Sequence, residues 1–326
     1  MMEEMNIVTL SKVCYLHVGL HKTASSSFQA TCAKNKDLLQ KNGLTYPIFS
    51  CEAAKKTRIK NHSFPIKSLF TENPADFGHN KKWGVSGDID EVNSSYESQL
   101  NSYLASAGNL IISGEEISKL RSNEMRKFRD KIKSYDYKIK VVALVRNPYE
   151  AICSAIQQQI KGGSYIKLIS LNDCVPNSYD TPRFRKLGIL KNIESVFGEA
   201  LSLYSFDHAC ASSYGPVGFL LKKFLGQNPA KFKYARTNES MSNLSVRIAN
   251  EFNKINPCFV DGEYNRKFQK FPLSLDKELS FSGKFLLTEL EYELVEEQIK
   301  DEIRGLIASF GLDFSGSLLK FSPPIF

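Results

Sequence analysis

No run of eighteen apolar residues occurs anywhere in the 326-residue chain, so nothing in it reads as a membrane-spanning helix. The start, Met1-Met-Glu-Glu-Met-Asn6, is acidic and has no apolar run, so no signal peptide is visible. The seven cysteines, Cys14, Cys32, Cys51, Cys153, Cys174, Cys210 and Cys258, show neither C-x-x-C spacing nor an even count to pair. That excludes a disulfide scaffold and points to reduced, mostly buried thiols in a cytoplasmic protein. No His/Cys/Asp/Glu cluster has metal-ligand spacing, so no metal is expected. Internal repeats, low-complexity tracts and recognised nucleic-acid modules are also missing.

What is present is an ordinary globular composition, with 42% hydrophobic residues, enough for a sizeable core. The expectation is one domain over 1–326, with a loop-rich insertion at about 50–100. Basic residues outnumber acidic ones by 43 to 35, and the window Glu289–Glu302 holds seven acids and one lysine. Outside that window 42 basic face 28 acidic residues, a balance of +14. A basic body suits a polyanionic ligand, but the cations are scattered rather than striped, so nucleic acid is not indicated.

The chain is organised around Tyr15-Leu-His-Val-Gly-Leu-His-Lys-Thr-Ala-Ser-Ser-Ser-Phe-Gln29. It reads as a buried strand, a small-residue loop with one lysine, and hydroxyl residues opening a helix. Such a turn aims backbone N–H groups and the positive end of a helix dipole at one spot, which makes an anion site. His21, Lys22, Thr23, Ala24, Ser25, Ser26 and Ser27 form that loop, with Lys22 supplying a full charge. A nucleotide-triphosphate P-loop wants glycine directly before its lysine. Here His21 stands there, and Gly19 is the only glycine upstream in the loop. If Ala24 takes a positive φ, its side chain strains the loop by roughly 1 kcal/mol.

Val13–Val18 is nearly continuously apolar, as in a strand buried on both faces, and His17 within it reads as a hydrogen-bonded core histidine. A helix from about Ser25 continues in a second piece to Gly43, a suitable C′ residue. Periodicity fades between Ser50 and about Leu100, which reads as a long loop. It returns in Asn109-Leu-Ile-Ile-Ser-Gly-Glu-Glu116, a strand ending in two carboxylates, and in Lys140-Val-Val-Ala-Leu-Val145, the plainest buried strand. That strand runs into Arg146-Asn-Pro-Tyr-Glu150, where Asn147 suits an N-cap, Pro148 the first helical position and Glu150 a capping box. Further on, Leu244, Ile248, Phe252 and Ile255 mark one apolar face of a helix over Asn243–Asn256, and a last long helix runs from about Thr288 to Phe310. Strands alternating with helices imply an α/β fold, P-loop-like and three-layered, with a central parallel sheet flanked by helices and ligands at the strands' carboxyl ends.

The loop wording His-Lys-Thr-Ala-Ser-Ser-Ser resembles the 5′-phosphosulfate loop of PAPS-dependent sulfotransferases, with alanine where the family usually has glycine. The second motif, Arg146-Asn-Pro-Tyr-Glu-Ala-Ile-Cys-Ser154, resembles the family's 3′-phosphate grip: an arginine ending a strand and a serine eight residues later. A guanidinium fork matches phosphate geometry, and an early-helix serine can reach the same anion. Ser113-Gly-Glu-Glu116, Leu203-Tyr-Ser-Phe-Asp207 and Arg236-Thr-Asn-Glu-Ser-Met-Ser242 are weaker resemblances. The Arg-Lys-Gly segment of animal cytosolic members is not visible, and Arg236 is the substitute considered for it.

The resemblance implies transfer of a sulfuryl group from PAPS to a hydroxyl or amine of a carbohydrate or glycolipid, without a metal. It gives Lys22 the charge on the bridging oxygen, and it gives His21–Ser27, Arg146, Ser154 and Arg236 the donor. Glu115 is the first candidate for the base, with Glu116 or His62 as alternatives. It also places the acceptor pocket in the 50–100 stretch. A kinase or NTPase, and a non-catalytic nucleotide binder, are the competing readings.

Overall fold

The computed structural model describes residues 11–167, 186–235, 240–260, 263–265, 267–272, 274–316 and 319–323. The chain divides into two compact units. The first comprises Met1–Leu144, Ile189–Tyr204 and His208–Thr237, and the second holds Val145–Gly188, Ser205–Asp207 and Asn238–Phe326.

The first unit is built on a five-stranded sheet. β1 (Val13–His17) leads through the loop into α1 (Ser25–Lys34) and α2 (Lys36–Lys41), and then comes β2 (Leu44–Thr45). Asn35 separates the two helices, its side chain bonding Thr31 O at 2.7 Å, and Gly43 follows at φ 73, the left-handed position expected of it. β5 (Asn109–Ser113), β6 (Lys138–Val145) and β7 (Leu201–Ser205) complete a sheet ordered β2-β5-β1-β6-β7. β1 pairs in parallel with β5 and β6 on either side, and β2 with β5. β1 is therefore central, and Cys14, Leu16, His17 and Val18 are wholly buried, as the apolar run requires. The chain fills one side of β1 with β2 and β5 before crossing to β6 and β7. In open sheets such a reversal is where ligands bind, outside the carboxyl ends of the strands, which here is the end of β1 that carries the loop.

Residues 50–100 are not the long loop expected. β3 (Phe49–Cys51) and β4 (Lys56–Ile59) form an antiparallel hairpin, followed by α3 (Ser63–Phe70), α4 (Gly78–Trp83) and α5 (Ile89–Ser106). In α5 only Val92, Tyr96, Leu100 and Leu104 are buried, one residue per turn. A single apolar residue in four, among Ser, Asn and Glu, gives too narrow a stripe for periodicity to register. After β5, α6 (Ser122–Lys133) leads to β6.

In the second unit, α7 (Pro148–Lys161) buries Tyr149, Ile152, Cys153, Ile156 and Ile160 against Val246, Phe285, Leu287, Tyr292 and Ile299. From Ile189 on, α8 (Leu187–Phe197) belongs to the first unit, as do α9 (Phe206–Cys210) from His208 on and all of α10 (Gly215–Phe219), whereas α11 (Asn243–Ile255) belongs to the second. α11 buries the face opposite to the one its apolar residues suggest: Ile248 is 38% exposed and Ile255 82%. The buried face sets Val246 and Ala249 into the core and carries polar side chains beside them, most of them partnered, while Asn243 Nδ2 has no hydrogen bond among the described residues. Arg247 makes a bidentate pair with Glu291 at 2.6 and 2.9 Å, Asn250 bonds both backbone groups of Ile166, and Asn253 donates to Ile160 O and Ser164 O. After the hairpin β8 (Phe259–Val260) and β9 (Glu263–Tyr264) and the short α12 (Ser274–Glu278), the expected last helix is two pieces, α13 (Glu289–Glu293) and α14 (Glu296–Phe310). Thr288 caps α13 in a capping box with Glu291.

Among the described residues no helix is long and apolar enough to cross a membrane.

Candidate active site

The loop after β1 owes its shape to two left-handed residues, Lys22 at φ 70 and Ala24 at φ 61. Alternation of this kind turns successive N–H groups to one side, the arrangement that holds anions. Thr23, wholly buried between them, ties the turn by donating its hydroxyl to Leu20 O at 2.6 Å. Gly19 is obligatory for a different reason: a Cβ there would lie 2.2 Å from Ser25 Oγ. The N-cap of α1 is Ala24, and no side chain caps the helix. An alanine at that position leaves the first amides of α1 available to a ligand. Ser25 is buried, its Oγ has no hydrogen-bond partner among the described residues, and Ser26 and Ser27 are half-buried.

Beside the loop, β5 delivers Glu115 and Glu116 on a short 3₁₀ turn, Glu115–Lys119. Gln29, one turn beyond Ser25 on α1, donates to Glu115 Oε2 at 3.3 Å and to Ser113 O at 3.4 Å. Asn61 approaches the other oxygen of Glu115 at 3.5 Å. Glu116 Oε1 accepts from Lys119 at 2.8 Å and lies 3.4 Å from His21 Nε2, so the lysine contact is the firmer. Burial pushes the Glu116 carboxyl up, yet His21 and Lys119 outweigh it and hold it down at about 2.

The two buried histidines are structural. His17 bonds Ser113 Oγ through Nδ1 at 2.8 Å and packs edge-on against Phe28, and burial pushes it down to about 3. His62 accepts from Ser113 N at Nδ1, 3.0 Å, and its Nε2 bonds Pro47 O at 2.8 Å. Both nitrogens are used, which fixes the Nε2–H tautomer, and burial pushes the ring down to about 4 against the Pro47 bond. The segment carrying it packs tightly on β5's end, where a Cβ at Gly114 would meet Ser63 N at 2.5 Å.

The second motif belongs to the second unit. Asn147 caps α7 by accepting from Tyr149 N at 2.9 Å, and Pro148 fills the first helical position, as expected. Glu150 does not form the expected capping box. Its Oε2 accepts from Arg146 Nε at 3.0 Å and Nη2 at 2.7 Å, because an arginine beside a positive helix end gains more from the carboxylate than an already capped backbone does. The guanidinium also lies over the Phe206 ring at 5.1 Å, and Lys284 Nζ is 3.9 Å from Glu150. Burial raises the Glu150 carboxyl, and Arg146 and Lys284 more than offset it, so its pKa is lowered. Ser154 is half-buried on α7, about 10 Å of helix axis beyond Asn147. Arg236 lies outside the described residues.

Gln29, Asn61 and Glu150 were missed by sequence reasoning. Two had a signal: Gln29 follows Ser25, and Glu150 follows Arg146, by four residues, one helical turn. Asn61 reaches its partner only through the fold.

No family model and no curated protein matches the chain. Solved structures similar to it include two sulfotransferases. One is the crystal structure of a sulfotransferase from Alicyclobacillus acidocaldarius, at 14% identity and a TM-score of 0.46, over 94% of this chain and 98% of that one. The other is the sulfotransferase domain from the curacin biosynthetic pathway, at 11% and 0.35, over 89% and 98%. Both are sulfotransferases, the family that the two motifs resemble. At such identities and scores neither likeness carries weight on function, and the chain's own residues must.

Proposed function

We propose that this protein is a PAPS-dependent sulfotransferase that moves a sulfuryl group to a hydroxyl or amine of a carbohydrate or glycolipid, releasing adenosine 3′,5′-bisphosphate. The observation that carries the reading is the loop: left-handed Lys22 and Ala24 ahead of an α1 with no side-chain cap, with Glu115 supplied by the next strand of the sheet. In the reaction the acceptor oxygen forms a bond to sulfur while the bond from sulfur to the bridging oxygen of the 5′-phosphate breaks. Negative charge grows on that bridging oxygen. Lys22 and the loop amides stabilise it as it develops, which is the differential binding catalysis needs.

The acceptor's proton goes to Glu115. Glu116 is a poor base because a carboxyl held at about 2 has little affinity for a proton. His62 has no nitrogen to offer while Ser113 and Pro47 hold it. Gln29 and Asn61 orient the Glu115 carboxylate by donating to its two oxygens. On the second unit, Arg146 and Ser154 are assigned to the 3′-phosphate, with Glu150 holding the guanidinium in readiness.

Calorimetric titration with adenosine 3′,5′-bisphosphate, ATP and ADP, all without magnesium, tests the reading. Clear preference for the bisphosphate is expected. Tighter binding of ATP, or dependence on magnesium, would point to a kinase or NTPase instead.

A further inference from the structure

The outer face of α1 borders a cavity of about 410 Å³ within the first unit. Its floor is apolar and low, made by Ala30, Ala33, Ile48 and Ala235, and its charged lining is Lys34, Arg58 and Lys60. No acid lines it. Strand alternation explains how two of the cations come to share it. Ile59 points into the core at 5% exposure, so Arg58 and Lys60 on either side of it point out together. Tyr46 anchors this end of the hairpin by donating to Lys60 O at 2.6 Å. The side chains of Arg58 and Lys60 make no hydrogen bond or ion pair with any described residue, and Lys34 Nζ has only a 3.5 Å contact to Tyr234 O.

The cavity's position is as telling as its charge. Ala30, Ala33 and Lys34 share a face of the helix that opens at the anion loop, about 7.5 to 13 Å along the axis from Ser25. The two alanines keep the floor open where larger side chains would close it. Three cations around one cavity without a counter-charge repel each other, and an anion between them removes that repulsion. The volume falls in the range of small-molecule sites and admits a ligand of disaccharide size.

We propose that this cavity is a subsite for the acceptor, and that the acceptor is a carbohydrate already bearing carboxylate, sulfate or phosphate groups. The inference rests on the sulfotransferase reading for the word acceptor, and on the cavity alone for the anionic chemistry. The test is calorimetry with the full chain, using a chondroitin disaccharide with one carboxylate and one sulfate, lactose as its neutral counterpart, and inorganic sulfate. Each is titrated with and without saturating adenosine 3′,5′-bisphosphate. The charged disaccharide is expected to bind at least tenfold more tightly than either lactose or sulfate, and to weaken as salt rises. Arg58→Ala and Lys60→Ala, both at exposed positions, should each weaken it about tenfold and leave bisphosphate binding unchanged. Equal binding of lactose, equal binding of sulfate, indifference to both substitutions, or displacement by the bisphosphate would overturn the subsite. If the bisphosphate does not bind while the charge-dependent disaccharide does, the donor assignment falls and the anionic subsite stands.

Discussion

The two motifs proposed to hold phosphate are built by different means. In the Lys22–Ser27 loop the proposed recognition would lie mostly in the backbone: two left-handed residues, a glycine whose Cβ would crowd the Ser25 side chain, and a helix end with no capping side chain. In the Arg146–Ser154 segment the backbone is conventionally capped by Asn147, and the proposed recognition would rest on one guanidinium that already holds a carboxylate. A backbone site is tuned by conformation and resists side-chain changes, whereas a side-chain site stands or falls with one residue and its salt dependence.

Four substitutions sharpen that contrast, from the largest effect to the smallest. Removing chemistry rather than binding from the first unit should cost most. Glu115→Gln is expected to slow transfer by ~10²–10⁴ and Lys22→Ala by ~10²–10³, each with little change in bisphosphate affinity because the loop amides remain. Single-turnover assays with saturating PAPS measure this, and unchanged rates would remove these residues from the reaction.

Arg146→Ala comes next, in affinity and not in rate. Loss of a charge-assisted contact weakens binding by roughly 10–150-fold, for ligands with a 3′-phosphate and scarcely for adenosine 5′-phosphate. Titrating both ligands decides it, since equal losses would make Arg146 a support of α7 with Glu150 as its partner. The smallest effect belongs to Ala24→Gly. Relief of a strained φ of 61 should raise stability by about 1 kcal/mol or less, read as a higher thermal midpoint with bisphosphate binding retained. A lowered midpoint would show that the loop carries no strain at this position.

Much of the site could be read from the sequence because its signals are local. The apolar runs of β1 and β6, the loop between β1 and α1, the Asn147 cap and Gly43 all depend on residues within a few positions of one another. Even the strain at Ala24 was foreseeable, since only its φ was missing. Glu150 was misread because two local partners, a backbone amide and Arg146, compete for one carboxylate, and sequence alone does not weigh them. The α5 helix was missed because its buried stripe is one residue wide.

The sequence by itself determined the strand-to-helix passages at β1 and β6, the candidate anion loop and the place of Arg146 at the end of a strand. Short-range sterics and apolar periodicity fix those features, and neither needs a distant partner. Only the tertiary structure decided which face of α11 is buried, because Arg247, Asn250 and Asn253 find partners at Glu291, Ile166 and Ile160 that satisfy them fully. It also decided that His62 is held by Ser113 and Pro47, and that Arg58 and Lys60 share a cavity with Lys34. A buried polar group is tolerated wherever its hydrogen bonds are met. The residues that meet them here lie far along the chain, where no local pattern points.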